Sequence, residues 1–275
     1  MKIPKRLVIY LVLLIIAIVA MVWIWSGLNS GANKSAVSRD LMEILESNEL
    51  NVVTDYNSIG YFVQGDTVRG FQLEMMKALE KEWGIRVNLF LENNLEDNLK
   101  GLLEQRYDLV ARSIPVNTEL KERIAFTIPI TFNKEVLVQR KVEYNDSIQP
   151  IRRHLDLAKR TIHVPKDSPA ILRINNLSHE IGDTIFILED PIYEAEQLVM
   201  MVAAGDIDFT VCDVKVAYRL RNVLPEIDIE TDISFTQLEA WAVRYDSPVL
   251  LDSLNSWLTR FKTTKEFREL EKRYY

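Results

Sequence analysis

Residues 107–130 (YDLVARSIPVNTELKERIAFTIPI) hold the polar groups that are best placed to bind a ligand. The segment opens as a short apolar strand, residues 109–111. We expect this strand to break at Ser113 and Pro115, because proline lacks the N–H that a strand ladder needs. Asn117 then caps a short helical turn. A buried strand followed by a polar loop and a helix places polar groups at the carboxyl end of a sheet, where open α/β sheets bind ligands.

Arg112 lies in that loop, and its guanidinium fork could bind a carboxylate. The alternative is a surface or inter-lobe salt bridge, and both interpretations stay open. Enzyme chemistry has less support, because the sequence shows no nucleophile-elbow glycine pattern, P-loop or dinucleotide fingerprint, and His154, His163 and His179 lack metal-ligand spacing. We therefore expect a protein that is not an enzyme, with no catalytic residue, metal or cofactor.

The overall charge argues against nucleic acid as a partner. The chain has 275 residues, of which 48% are hydrophobic, and a net charge of −7. Lys and Arg cluster only near the N-terminus, so residues 37–275 carry 29 basic and 40 acidic residues, a net charge of −11. The single cysteine, Cys212, excludes an internal disulfide, and its place at the end of an apolar strand predicts a small core residue.

The N-terminus reads as a membrane anchor. Residues 7–25 form a run of 19 residues without charge, long enough to cross a bilayer core of roughly 30 Å. Basic residues precede the run and predict a cytoplasmic N-terminus. The alternative is a cleaved signal peptide, but the apolar run is longer than usual and no clear cleavage site follows. We expect a single-pass protein of the inner (cytoplasmic) membrane whose globular part lies in the periplasm.

Beyond the anchor, strands and helices alternate with short connections, which predicts parallel sheets covered on both faces. Residues 26–47 read as a tether and a short helix. One α/β lobe is expected to comprise residues 48–140 and 236–275, and a second lobe residues 141–235. One lobe interrupted by another implies two crossing strands between them.

Four blocks carry a resemblance to a known family: VRGFQLEMMKALEKEWGIRV, residues 107–130, AAGDIDFTVCD and KEFRELEKRYY. In order and spacing they are similar to bacterial family 3 solute-binding proteins over about residues 48–275. The resemblance implies an α/β fold, the two-lobed periplasmic-binding-protein type 2 plan, here preceded by one N-terminal transmembrane helix. Within the family, TDYNSIGYF, Asn117 and the anchor look most like the non-catalytic module of the membrane-bound lytic murein transglycosylase F group. That group's catalytic domain is expected to be missing here.

The resemblance also implies ligand-binding positions. Tyr61 matches an aromatic residue that walls the cleft, with Tyr56 as a weaker alternative. Ser113 matches a small cleft residue, and Ser168 matches a threonine at a helix N-terminus, where free N–H groups attract anions. Asp213 matches the acceptor of a ligand ammonium. Plain packing or helix capping explains each of these residues as well, and both interpretations stay open.

Two positions depart from the family pattern. The family's carboxylate-binding threonine and arginine fall on Pro115 and Leu120, which removes two donors. Arg112 is the candidate replacement, so Arg112 and Asp213 are expected to face each other across the cleft, solvated when the lobes are open.

These observations predict a membrane-anchored protein that captures an amino acid, a short peptide or a muropeptide fragment between two lobes that close by hinge motion. Its expected partners are the ligand, the membrane and an ABC-type permease or cell-wall enzymes. The alternative is a regulatory or scaffold module for peptidoglycan enzymes that binds no ligand.

Overall fold

A computed structural model describes Met21 and residues 39–275. Within these residues, no helix is both long and apolar enough to cross a membrane. The predicted anchor, residues 7–25, lies outside the described residues apart from Met21, as does the predicted tether up to residue 38. Residues 40–275 form one compact unit.

The first sheet has the strand order β4-β1-β5-β13-β6, and β7 also pairs with β13. Strands β4, β1 and β5 run parallel, whereas β13 is antiparallel to β5, β6 and β7. This sheet and its helices form the first lobe. Its strands are β1 (Glu49–Thr54), β4 (Arg86–Leu91), β5 (Leu109–Pro115), β6 (Ala125–Phe126), β7 (Thr131–Asn133) and β13 (Gln237–Val243), with a hairpin of β2 (Phe62–Gln64) and β3 (Thr67–Arg69) beside it.

The helices of the first lobe begin and end at the residues that local signals predict. Asp40 and Glu43 form a capping box on the first helix, and Gly84 ends the second helix with a positive φ of 67°. The Asn117 side chain accepts from the Leu120 N–H. The helices are α1 (Leu41–Ser47), α2 (Phe71–Trp83), α3 (Leu95–Leu103), α4 (Thr118–Lys121), α8 (Pro248–Phe261) and α9 (Lys265–Tyr274).

The second sheet has the order β10-β9-β11-β8-β12, in which β8 and β12 are antiparallel to their neighbours. It forms the second lobe with helices on both faces. Its strands are β8 (Glu135–Arg140), β9 (Thr161–Pro165), β10 (Phe186–Asp190), β11 (Thr210–Asp213) and β12 (Ile227–Asp232), and its helices are α5 (Ala170–Ile181), α6 (Ala195–Ala204) and α7 (Val214–Arg221).

The chain crosses between the sheets twice, once at Asn133–Lys134 and once in residues 233–236. The predicted boundary after residue 140 therefore differs from the sheet pairing, because β8 pairs with β11 and β12 of the second sheet. The two crossings lie side by side, since the Ile233 N–H donates to the Glu135 carbonyl at 2.8 Å.

Strand β5 differs from its prediction because it continues through Pro115 instead of breaking at Ser113. Pro115 lies opposite Glu239 of β13, whereas β1 pairs with β5 only as far as Val110. On the side of β5 away from β13, Pro115 therefore has no β1 residue beside it. The N–H that proline lacks would have had no strand partner on that side, so the sheet loses no hydrogen bond there. A second difference is small: α5 begins at Ala170, with Pro169 rather than Ser168 at its N-cap.

The core of the first lobe is aromatic. Trp241 of β13 stacks on Trp257 of α8 at 6.2 Å between ring centroids, and Trp257 stacks on Phe261 at 4.8 Å. Both tryptophans are fully buried, and Trp241 Nε1 donates to Gln72 Oε1 at 2.9 Å. This packing fixes β13, which carries Glu239 to the face between the lobes.

Candidate functional site

A cavity of about 240 Å³ lies between the two sheets. Four of the five predicted ligand-binding residues line it: Arg112, Ser113, Ser168 and Asp213. The fifth, Tyr61, is not among the lining residues. The aromatic wall is Tyr56, whose ring lies 6.3 Å from that of Tyr61. Tyr61 pairs through its backbone with Asn57, so the two tyrosines belong to one loop, and Tyr56 is the one that reaches the cavity.

The position of that wall depends on a glycine. Gly70 has a φ of +146°, and a Cβ at this residue would lie 2.1 Å from the Gly60 carbonyl oxygen. The loop at Gly60 therefore packs directly on the start of α2, where Phe71 N–H donates to the Ile59 carbonyl at 2.7 Å. Ile59 and Gly60 both line the cavity.

The lobes contact each other directly at the edge of the cavity. The Ser58 N–H of the first lobe donates to Glu196 Oε1 of the second at 2.7 Å, and Asn94 Nδ2 donates to Asp167 Oδ2 at 3.2 Å. The Arg219 guanidinium lies 4.5 Å from the centre of the Phe62 ring. These contacts define a closed arrangement of the two lobes.

At one end of the cavity Arg112 lies among acceptors. Its NH1 donates to the Asn93 carbonyl at 2.7 Å, and its NH2 lies 3.3 Å from Asp55 Oδ2. Its Nε is buried without a hydrogen-bond partner. Glu194 of the second lobe faces this group: burial raises the pKa of Glu194, and the Arg112 charge acts against that rise. We call Asp55, Arg112 and Glu194 the Arg112 end.

At the other end, Asp213 opens α7 and its Oδ1 accepts from the Lys215 N–H at 2.6 Å. Its Oδ2 accepts from Asn133 Nδ2. Burial and, after it, the Glu239 carboxylate raise the pKa of Asp213 to about 7, against the Lys215 ammonium. Glu135, which pairs with Asp213 across β8 and β11, has its pKa raised to about 7 by burial, Asp213 and Glu239.

Asn133 joins these carboxylates. Its Nδ2 donates to Glu239 Oε1 at 2.9 Å as well as to Asp213, so its Oδ1 must face the other way. That oxygen is buried without a partner, and Asn133 as a residue is 8% exposed. Lys215 Nζ lies 3.9 Å from Glu239 Oε2, and its pKa is lowered by burial. We call Asn133, Glu135, Asp213, Lys215 and Glu239 the Asp213 end.

In this closed arrangement Arg112 and Asp213 each have partners within the protein, and the expectation that they face each other, solvated when the lobes are open, stays a prediction. Arg112 is held inside the first lobe by Asp55 and the Asn93 carbonyl, and its side chain is 15% exposed. Asp213 is held by the N-terminus of α7 and by Asn133. Glu194 is the second-lobe residue whose charge interacts with Arg112.

Ser113 lies beside a side chain of the same lobe. The Tyr275 ring packs against Phe71, at 4.7 Å between centroids, and the Lys215 ammonium lies 3.8 Å from the ring centre. Burial raises the pKa of the Tyr275 phenol, and the hydroxyls of Ser113 and Thr131 that contact it act in the opposite direction. The Ser113 hydroxyl therefore already has a neighbour within the protein.

The other positions discussed from the sequence have ordinary structural environments. Ser168 Oγ accepts from the Ala170 N–H at 3.3 Å, which is a capping contact at the start of α5. Pro115 lines the cavity without offering a donor, and Leu120 is buried in the core at 8% exposure. Cys212 is buried, as predicted.

Sequence reasoning missed the residues that dominate the Asp213 end: Asn133, Glu135, Lys215 and Glu239. The signal that could have found them is their position, because they lie in or next to the strands that cross between lobes or on the first turn of α7. In the part of the chain that the structure describes, no group of His, Cys, Asp and Glu residues is arranged to hold a metal ion.

Two α/β lobes joined by crossing strands, with a charged cavity between them, define a two-lobed periplasmic-binding-protein fold. The chain belongs to the bacterial extracellular solute-binding proteins, family 3, whose family model matches residues 50–275. The family predicted from the sequence is therefore confirmed.

Relatives and solved structures agree with this assignment. The chain is 26% identical over 276 residues to a membrane-bound lytic murein transglycosylase F from Desulfosudis oleivorans, covering 100% of this chain but only 58% of that protein. A mutant of ArgBP from T. maritima shares the fold with a TM-score of 0.72 and 20% identity, over 85% of this chain and 97% of that one. An ancestral arginine-binding protein bound to arginine has a TM-score of 0.71 and 18% identity, over 83% and 98%.

Proposed function

We propose that the protein is an extracytoplasmic solute-binding protein that captures a small polar ligand between its lobes. The observation that carries the proposal is the cavity of about 240 Å³, which is lined by charged side chains from both lobes. Its volume lies below the roughly 300–1,000 Å³ of pockets for drug-sized molecules, which favours a ligand the size of an amino acid. The arginine-binding proteins of similar fold support the same size class.

The lobes are proposed to open and close about the two crossings, Asn133–Lys134 and residues 233–236. Closure brings Glu196 to the Ser58 N–H and Asp167 to Asn94, so these contacts act as a latch at the cavity edge. In this proposal lobe 1 holds residues 48–133 and 236–275, and lobe 2 holds the intervening strands and helices. Arg112, Ser113, Ser168 and Asp213 line the site, with Tyr56 in the place predicted for Tyr61.

Ligand binding is tested by thermal unfolding of the full chain with a panel of amino acids, amines, short peptides and muropeptides. A ligand at 100 times its Kd adds about 2.7 kcal/mol to the free energy of unfolding, which is a measurable rise in melting temperature. A rise with at least one compound supports the proposal. Unchanged melting with every compound contradicts it.

Membrane attachment through residues 7–25 belongs to the same proposal and is supported by the 19-residue uncharged run. The printed name of the Desulfosudis oleivorans relative also describes a membrane-bound protein. Replacement of residues 1–25 by a cleavable signal peptide is expected to move the protein from the membrane fraction to the soluble periplasmic fraction. Equal distribution of both forms would contradict a retained anchor.

A second candidate is a regulatory or scaffold module for cell-wall enzymes, and the observation that favours it is the kinship with lytic murein transglycosylase F. The chain spans 58% of that relative's length, so the relative's activity does not follow for this chain. We propose that the described residues are not catalytic, and purified peptidoglycan is expected to keep its turbidity. A binding partner among peptidoglycan enzymes, together with no response to any small ligand, would favour the scaffold.

A further inference from the structure

The chemistry of the cavity restricts the ligand further, beginning with its donors. A ligand carboxylate needs free N–H or O–H donors, yet two family donor positions are Pro115 and Leu120, neither of which has a donor side chain. Three of the five N–H bonds of Arg112 point at Asp55, the Asn93 carbonyl and the Asn98 amide oxygen, through NH1 and NH2. The Ser113 hydroxyl contacts the Tyr275 phenol.

The two Arg112 N–H groups that remain, Nε and the second N–H of NH2, do not restore a carboxylate site. Asp55 and Glu194 already surround the same guanidinium, so a ligand carboxylate there would be a third anion around one cation. Like charges at such close range disfavour the charged forms of all three groups.

Acceptors, in contrast, are available at both ends. The side chains of Glu135 and Glu194 have no hydrogen bond or ion pair with another residue in the described part of the chain, and both line the cavity. Asn133 Oδ1 is buried without a partner, and the two bonds of Nδ2 to carboxylates fix which way the amide points. An unsatisfied buried acceptor requires a donor.

The charge of the lining agrees with this inventory. Seven acidic side chains line the cavity against three basic ones: Asp55, Glu135, Asp167, Glu194, Glu196, Asp213 and Glu239 against Arg112, Lys134 and Lys166. Lys134 is also engaged by Asp232, at 2.7 Å, outside the cavity. A cavity that is lined by one sign of charge attracts the opposite charge.

From these observations we propose that the ligand is a small organic cation without a carboxylate, such as an aliphatic diamine or a guanidino-amine. One ammonium lies at the Asp213 end, where it donates to Asn133 Oδ1 and neutralises Glu135. The second cationic group lies at the Arg112 end against Glu194. The inference rests on the proposed solute-binding function and names the chemical class that the same cavity takes.

The test compares amines with their parent amino acids, which differ only by the carboxylate. Agmatine, cadaverine and putrescine are titrated calorimetrically into the full chain at pH 8, beside arginine, lysine and ornithine. Each amine is expected to bind at least about tenfold more tightly than its parent, a difference of about 1.4 kcal/mol. Equal or tighter binding of the parents, or binding of only acidic or neutral compounds, overturns the inference and leaves the solute-binding function intact.

If none of the amines or their parent amino acids binds, and no acidic amino acid, neutral amino acid or muropeptide binds either, the proposed function itself is contradicted. The position of the amine is checked with the Glu135→Gln and Glu194→Gln variants, each of which is expected to weaken agmatine binding about tenfold or more. The matched control is Glu230→Gln in the second lobe, whose side chain is 66% exposed outside the cavity and pairs with Arg152. Unchanged agmatine affinity in both cavity variants places the amine elsewhere and overturns the inference.

Discussion

At the Arg112 end of the cavity a cation lies among anions, whereas at the Asp213 end three carboxylates share one ammonium. Asp55 and the Asn93 carbonyl hold Arg112 in place, so the cation at this end is already paired within the first lobe. At the other end the pKa values of Glu135 and Asp213 both rise to about 7. The first arrangement stabilises the fold, and the second stores repulsion that a bound cation relieves.

The largest effect on stability is expected when the cation at the Arg112 end is removed. Arg112→Ala leaves Asp55 and the Asn93 carbonyl without their common partner in a mostly buried position, and removes the positive charge nearest Glu194. We expect the free energy of unfolding to fall by about 2–4 kcal/mol, measured by urea denaturation at pH 8.

The control is Arg123→Ala, which removes an arginine that also forks a carboxylate, Glu96, but at a more exposed site. Exposed pairs contribute about 0–1 kcal/mol, so this variant should unfold nearly as the wild type does. If both variants lose the same small amount, the Arg112 end is not held by its ion pair.

The next effect has the opposite sign. Glu135→Gln removes a charge that has no hydrogen-bonded partner among the described residues, while its shape is kept. We expect it to raise the free energy of unfolding by about 1–3 kcal/mol at pH 8. At pH 5 the folded wild-type carboxyl is already protonated, so most of the difference between the two proteins should disappear there. A loss of stability at pH 8 would show that Glu135 makes a favourable contact instead.

The pH dependence follows from the direction of the shift. The folded pKa of Glu135, about 7, lies above its ordinary 4.5, so the folded state binds more protons than the unfolded state between these values. Stability therefore falls as pH rises from about 4.5 to 7, which is the reverse of a paired carboxylate. The raised pKa of Asp213 adds to this pH dependence. The positive charges of Lys215 and Arg173 reduce it, because they act against the rises in the pKa values of Asp213 and Glu135. Unfolding across pH 5–8 is expected to show a shallower slope in Glu135→Gln than in the wild type.

A smaller effect is expected at the latch, where Glu196 accepts from the Ser58 N–H across the lobes. Glu196→Ala should cost about 1 kcal/mol or less of unfolding free energy, yet shift the lobes toward an open state. Small-angle scattering of the ligand-free protein would then show a larger radius of gyration. The control is Asp156→Ala, which removes an acceptor for the Arg153 guanidinium within the second lobe and should leave the radius unchanged. Equal radii in all three proteins would mean that this bond does not hold closure.

Local signals in the sequence predicted most of the fold. Helix starts at Asp40 and Asp213, and helix ends at Gly84 and Gly205, follow from backbone groups within a few residues of each cap. The strand through Pro115 was missed because its tolerance depends on where β1 stops pairing, which is a contact across the sheet.

The site was predicted less completely for the same reason. Ser113, Ser168 and Asp213 line the cavity, because they lie near the carboxyl end of a strand or just before a helix. The neighbours that decide the electrostatics could not be predicted from their position along the chain. Glu135, for example, lies opposite Asp213 only because β8 and β11 pair in this antiparallel register. Charge at this site is a property of strand pairing, which the spacing along the chain does not reveal.

The smallest expected effect concerns the Tyr275 phenol, which contacts Ser113 and Thr131 beside the Asp213 end. Tyr275→Phe keeps the ring against Phe71 and Lys215 and removes only the oxygen, so we expect a loss of about 0.5–1.5 kcal/mol in unfolding free energy. The Ser113 hydroxyl then becomes available to a ligand carboxylate, and the preference for agmatine over arginine should narrow by a few-fold. Tyr144→Phe, at an exposed tyrosine, is the control. Unchanged stability with an unchanged preference would show that the phenol oxygen is not what withholds Ser113 from the ligand, and that the acidic lining alone discriminates against the carboxylate.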